Sequence, residues 1–159
     1  MYAIKLIESL VKKGEKCTLT LYGDGVDRTS LENYVQEKNL TNYIVFKGNK
    51  TAAEVQQAYK ESSFLMLPSK SEGWPKVVAE AMFWSCLPIT TAVSCVPYML
   101  DYGNRGAIVE NNEDKIVQVV ESYLHNEDKY LQQVLNAKIW SQNYTLEKFE
   151  TEIKKLLKN

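Results

Sequence analysis

Two carboxylates and a helix start are the groups in this sequence whose types and spacing could do chemistry. Glu72 and Glu80 stand eight residues apart in Ser69-Lys70-Ser71-Glu72-Gly73-Trp74-Pro75-Lys76-Val77-Val78-Ala79-Glu80-Ala81-Met82. The stretch follows an apolar run, Phe64-Leu65-Met66-Leu67-Pro68, that reads as a buried strand. Pro75 falls where a first helical turn begins, a place that tolerates a missing N–H. Val77, Val78, Ala81 and Met82 then recur as one packed helix face. The expected order is strand, small polar loop, helix. In an open parallel sheet, a loop at the carboxyl end of a strand is where ligands bind. The free N–H groups of a helix start suit a phosphate or a carboxylate. On spacing alone both acids also have ordinary readings, Glu72 as a complement to the helix dipole and Glu80 as a solvated helix residue.

Such a loop needs a sheet to hold it, and the rest of the chain supplies one. Residues 2–12 are helical by period, with Ile4, Ile7, Leu10 and Val11 on one face and Ala3 and Leu6 beside it. Lys12, Lys13 and Gly14 end that helix. Residues 17–22 read as a strand, followed at once by Gly23-Asp24-Gly25, either a plain turn or a close backbone approach to a ligand. A helix over 27–38 carries Leu31, Tyr34 and Val35; a short strand over 43–46 leads into Lys47-Gly48-Asn49. Thr51 with Glu54 forms a capping-box pattern for a helix reaching about Tyr59. After the strand at 63–67 and the helix from Pro75 to about Trp84 comes a strand at 87–91, whose Pro88 suits a strand start. Residues 93–100 lead into a turn or short helix, Gly103-Asn104-Arg105-Gly106 is a turn, and 106–109 a last short strand. Asn112 or Glu113 opens a helix with Ile116, Val119, Val120, Tyr123 and Leu124 inward. Helices over 129–141 and 146–157 follow, the last capped by Thr145. Their expected inner faces are Leu131, Val134, Leu135 and Trp140, then Phe149, Ile153, Leu156 and Leu157. Five strands alternating with helices imply an α/β, doubly wound parallel sheet.

Composition removes several alternatives. At 159 residues and 45% apolar, the chain is long enough for one domain with a real core. A formal net charge of −1 gives no reason to expect a nucleic-acid partner. No apolar run reaches membrane-spanning length, and no signal peptide is seen. Cys17, Cys86 and Cys95 have no metal-type spacing, and Cys17 and Cys86 read as reduced, buried thiols, which points to a cytoplasmic setting. His125 stands alone at a helix end.

Pro-Ser-x-x-Glu-Gly followed by Glu80-Ala81 gives a Glu-x7-Glu pair, and this resembles the signature of retaining, nucleotide-sugar-dependent glycosyltransferases of the two-Rossmann-domain (GT-B) type, group 1 (GT4-like). The resemblance runs from about Ala3 to about Leu157 and matches only the C-terminal, donor-binding half. It implies a single Rossmann-like nucleotide-sugar-binding domain over 1–159, with 126–159 as C-terminal helices. It implies that Glu72, with Gly73 and Trp74, holds the donor-sugar hydroxyls. Glu80 would hold the ribose hydroxyls, since a carboxylate accepts two hydrogen bonds from a diol. Gly23, Asp24, Gly25, Lys47 and Gly48 would border the nucleotide, and Pro75, Lys76 and Val77 the phosphates. No catalytic residue is assigned. The donor enters as a substrate, with no cofactor and no metal expected. A polysaccharide or lipopolysaccharide pathway follows at family level, as does a cytoplasmic location that allows peripheral attachment at the inner face of a membrane.

The sequence also departs from the family pattern. The Arg and Lys that hold the diphosphate lie in a part not represented here; Lys5 is in the wrong register. The Gly-Gly-x-Pro-Glu stretch of many members is Ser94-Cys95-Val96-Pro97-Tyr98, and a Gly before the Leu-Pro strand is Cys86. The family's first, central strand and its N-terminal acceptor domain are not represented. The chain thus reads as a fragment that binds a nucleotide sugar weakly without transferring it. Strands 17–22 and 63–67 should flank the place of the missing strand. They are expected either to pair directly or to bind an outside strand, through homodimerisation at exposed edges. Three other readings stand beside this one: a non-catalytic nucleotide-sugar-binding subunit, a nucleotide-sugar epimerase of related fold, and a purely structural α/β domain.

Overall fold

The computed structural model describes residues 1–157; the last two residues of the expected 126–159 helical segment lie outside it. The elements run α1 (Tyr2–Lys12), β1 (Leu19–Tyr22), α2 (Arg28–Glu37), β2 (Ile44–Gly48), α3 (Ala52–Glu61), β3 (Phe64–Leu67), α4 (Lys76–Phe83), β4 (Leu87–Thr91), α5 (Val96–Met99), a 3-10 turn (Asp101–Gly103), β5 (Ala107–Val109), α6 (Glu113–Leu124), α7 (Glu127–Ser141) and α8 (Leu146–Leu156). Every strand pairing is parallel. All five expected strands are present, within a few residues of their expected limits.

The strands form two sheets, a β1–β2 pair and a β3–β4–β5 triplet. No ladder joins β1 to β3 among the described residues, so the direct pairing expected for residues 17–22 and 63–67 is not found. The reason lies in α1, which packs on both sheets. Its Leu6 and Leu10 share a core with Leu87, Ile89, Ala107, Val109 and α6, and Phe64 and Met66 pack against that core. Its Ile4 and Ile7 share a second core with Val35, Leu40 and Ile44, against which Leu19 and Leu21 pack. The helix ties the sheets together through side chains, and Cys17 touches both cores. β4 is buried along its whole length, as expected for a strand paired on both edges and covered on both faces.

Several helix faces differ from expectation. Val78, Ala81 and Met82 of α4 are fully buried, but Val77 is 38% exposed, so the packed face is narrower than the sequence pattern suggested. On α7 the buried residues are Ala137 and Ser141, while Leu131 and Leu135 are about half exposed. Small residues let α7 approach α4 closely, and the leucines fall on the other side. Leu124 of α6 is also exposed. No residue of α8 is buried, and Phe149, Leu156 and Leu157 face solvent. No described helix is long and apolar enough to cross a membrane.

Helix starts are set locally, as their sequences foretell. Asn112, Asn126 and Thr145 each accept a hydrogen bond from the N–H three residues on. Thr51 and Glu54 form a complete capping box, which holds the Glu54 carboxyl down to about 2 through the Thr51 N–H, Lys50 and the Thr51 hydroxyl. Thr51→Ala is expected to lower stability by about 1 kcal/mol. Urea unfolding reads this directly, and a change below about 0.3 kcal/mol would show that α3 is held by its packing alone.

Candidate functional site

β3 ends at Leu67, and the chain reaches α4 through a polar loop from Pro68 to Pro75. Pro75 is the residue before the helix rather than within it, and it is buried. No side chain caps α4. Of the three residues expected at the phosphates, Pro75 has no N–H, and the Lys76 N–H is already given to the Trp74 carbonyl at 2.9 Å. Val77 carries the helix-start N–H with no backbone acceptor outside the helix among the described residues. The Lys76 side chain is exposed beside it.

Glu72 is half-buried in this loop, and its Oε1 accepts a 2.6 Å hydrogen bond from the Ser69 hydroxyl. Its other oxygen keeps acceptor capacity for a ligand. Gly73 and Trp74 follow in the open, with Trp74 54% exposed. Hydroxyls from the end of β4 and the loop beyond it meet this segment. Thr90 donates to the Leu67 carbonyl at 2.8 Å, Thr91 to the Ser69 carbonyl, and Ser94 to the Gly73 carbonyl at 2.5 Å. Ser94 has φ +49°, a left-handed backbone that costs an L-residue roughly 1–2 kcal/mol.

Glu80 lies on the exposed side of α4, opposite the buried Val78, Ala81 and Met82. Tyr59 of α3 points its hydroxyl at Glu80 Oε2, 3.5 Å away. The Tyr59 ring is buried with Ala81 and Cys86, and burial pushes its phenol pKa upward, with the Glu80 charge adding to this, so it stays protonated as a donor. The same burial drives the Cys86 thiol up to about 12, making it an inert core residue.

The two glycine turns expected at the nucleotide come together at the carboxyl ends of β1 and β2. Gly23, at φ +95°, donates its N–H to the Gly48 carbonyl at 2.9 Å. Gly48 itself is at φ +63°, and a Cβ there would lie 3.3 Å from an Arg28 guanidinium nitrogen. Asp24 accepts from the Gly25 N–H at 2.9 Å and lies 3.4 Å from Arg28, so part of its carboxylate is satisfied locally. Lys47 is exposed on β2. Arg28 also pairs with Glu32 at 2.8 Å. No hydrogen bond or ion pair joins this group to the Glu72–Glu80 group among the described residues. Sequence reasoning passed over Tyr59 and Thr91, whose partners are distant in the chain, and marked Ser94 only as a departure from the Gly-Gly pattern. It also passed over Arg28, which pairs locally with Asp24 and Glu32 but meets Gly48 only through the fold. Lys5 bonds Glu113 at 2.9 Å, and His125 Nδ1 donates to the Glu121 carbonyl in the last turn of α6 at 2.8 Å. A groove of about 530 Å³ lies on the other side of β4, at β5 and α6, and contains the Glu110–Lys115 ion pair.

Residues 1–140 match the family described as Glycosyl transferases group 1. An uncharacterized glycosyltransferase of Haemophilus influenzae is 30% identical over 160 residues, covering 98% of this chain and 44% of that protein. The chain spans less than half the length of each curated relative it matches. The C-terminal domain of the glycosyl transferase group 1 family protein LpcC from Francisella tularensis superimposes with a TM-score of 0.80 at 20% identity, covering 90% of this chain and 77% of that one. Anabaena Alr3699/HepE, solved in complex with UDP, gives a TM-score of 0.81 at 17% identity, covering 97% and 44%. These likenesses show a Rossmann-like GT-B domain fold.

Proposed function

The chain belongs to the group 1 glycosyl transferases, and from that premise we propose that it is the donor-binding part of a retaining glycosyltransferase. It binds a nucleoside diphosphate sugar, and the hexose-type sugar passes to a glycan or lipid-linked acceptor held by a further domain. The observation that supports this is the β3–loop–α4 element, which carries Glu72 in the loop and Glu80 on the helix, one acid fixed by Ser69 and the other faced by Tyr59. Glu72 accepts hydrogen bonds from the sugar and Glu80 from the ribose diol. The Val77 N–H, the Lys76 ammonium and the positive end of α4 meet the diphosphate. Gly23–Gly25 and Lys47–Gly48 border the base. The solved UDP complex of Alr3699/HepE, a protein of the same fold, favours a uridine nucleotide as the first donor to try.

The test is a titration with UDP-glucose, GDP-glucose and ADP-glucose, read by tryptophan fluorescence, with Trp74 beside the expected sugar. Losing a charge-assisted hydrogen-bond pair costs about 1.5–3 kcal/mol, so Glu72→Ala and Glu80→Ala should each raise Kd about 10- to 100-fold. A folded chain that binds no donor, or two variants that bind like the wild type, would overturn the reading.

A further inference from the structure

We propose that Thr91 and Ser94 are positioning residues: their hydroxyls clamp the Ser69–Gly73 loop at both ends and so set Glu72 for the sugar. This rests on the donor-site reading above. Thr91 donates to the Ser69 carbonyl and Ser94 to the Gly73 carbonyl, at the two ends of the five-residue stretch Ser69–Gly73 within the Pro68–Pro75 loop. Between those points the loop has little else to hold it. Among the described residues, 70–73 make no backbone–backbone hydrogen bond outside regular elements, and Lys70, Ser71 and Gly73 are exposed. Among the described residues, the hydrogen bond that fixes the Glu72 carboxylate comes from Ser69, itself one of the clamped residues.

The clamping side is anchored in the core, whereas the loop is largely exposed. Thr90 and Thr91 are buried at the end of the central strand β4. A turn follows, closed by the Val93 N–H to the Thr91 carbonyl at 2.9 Å and the Val96 N–H to the Val93 carbonyl at 3.0 Å. Val96 and Met99 then anchor α5 in the core beneath α4. Ser94 sits between these anchors at φ +49°, in a conformation that glycine would adopt without strain. The serine at this position brings a hydroxyl to the Gly73 carbonyl, next to Glu72. Thr91 ends β4 and Ser94 lies in the turn beyond it, so the clamp also couples the end of β4 to the β3–α4 loop.

The experiment compares Ser94→Ala, Ser94→Gly, Thr91→Val and Thr91→Ser with the wild type, by amide hydrogen exchange without ligand and by titration with UDP and with UDP-glucose. Ser94→Ala and Thr91→Val are expected to speed exchange across residues 70–74 about tenfold. They should weaken UDP-glucose about fivefold and leave UDP within twofold, because the clamp serves the acid that meets the sugar. Ser94→Gly, which relieves the backbone but lacks the hydroxyl, should match Ser94→Ala. Thr91→Ser, which keeps the hydroxyl, should match the wild type. Unchanged exchange in Ser94→Ala and Thr91→Val overturns the clamp, as does wild-type behaviour of Ser94→Gly. Equal losses for UDP and UDP-glucose also overturn it, since they would mean a general loosening of α4. If the wild type binds none of the UDP, GDP or ADP sugars while the variants still speed exchange, the clamp stands and the donor-site reading falls.

Discussion

Replacing Gly106 with alanine is expected to destabilise the chain by about 3–5 kcal/mol, a large fraction of the roughly 5–15 kcal/mol by which an ordinary domain is stable. Gly106 lies at the entry to β5 with φ +144°, where L side chains are strained. A Cβ there would stand 2.5 Å from the backbone carbonyl oxygen of Pro88, and 3.3 Å from Pro88 Cδ and Leu100 Cδ2. The carbonyl belongs to β4, which is paired on both edges and buried along its length, so it cannot step aside cheaply. Thermal melting should show a fall of about 10 °C or more in a domain of this size. A shift under about 3 °C would mean that β5 moves away from β4 without consequence. Ala at Gly25, which meets nothing within 4 Å and lies outside the positive-φ region, is the matched control, expected to change stability by less than about 0.5 kcal/mol.

Gly106 also marks the boundary of what the sequence discloses. Gly103-Asn104-Arg105-Gly106 is legible as a turn from its residue types. That its last glycine is required by a carbonyl eighteen residues upstream depends on the register of β4 against β5. The same division holds throughout the molecule. Strands and helix starts were legible because their signals are local: apolar runs, and caps such as Thr51, Asn112 and Thr145. Helix faces were less legible. Leu131 and Leu135 have the period of an inner face, yet the approach of α7 to α4 is set by Ala137, a residue without a strong hydrophobic signal. In the candidate site, Glu72, Glu80 and the glycine turns were legible from motif and spacing. The Gly23–Gly48 hydrogen bond, which brings the two glycine turns together at the sheet end, was not legible in the sequence. Tyr59, Thr91 and Ser94 were not legible, because a lone hydroxyl carries no periodicity and takes its meaning from the carbonyl or carboxylate that the fold sets opposite it.

Met82→Ala is expected to cost about 3 kcal/mol while leaving donor affinity nearly intact, and this separates the scaffold of α4 from its chemistry. Met82 is fully buried with Val78, Val96, Met99, Leu100 and Ala137, where α4, α5 and α7 meet. Truncating a buried Met loses its transfer free energy and leaves a cavity, for a total of about 2–5 kcal/mol, which the better helix propensity of alanine offsets by only a few tenths. The urea midpoint should fall with an unchanged slope, because the surface exposed on unfolding is nearly the same. α4 is held on a second side by Ala81 against Tyr59 and Cys86, so the helix keeps its place and Glu80 keeps its exposure. In the folded population, Kd for UDP-glucose should then stay within about threefold of the wild type. Glu80→Ala should do the reverse, since an exposed helix position changes stability by about 0.5 kcal/mol or less while the ribose contact is lost. If Met82→Ala weakens binding as strongly as Glu80→Ala, the position of α4 rather than its carboxylate governs affinity, and Glu80 loses its proposed role. If Met82→Ala costs under about 1 kcal/mol, the α4–α5–α7 core can collapse around the gap.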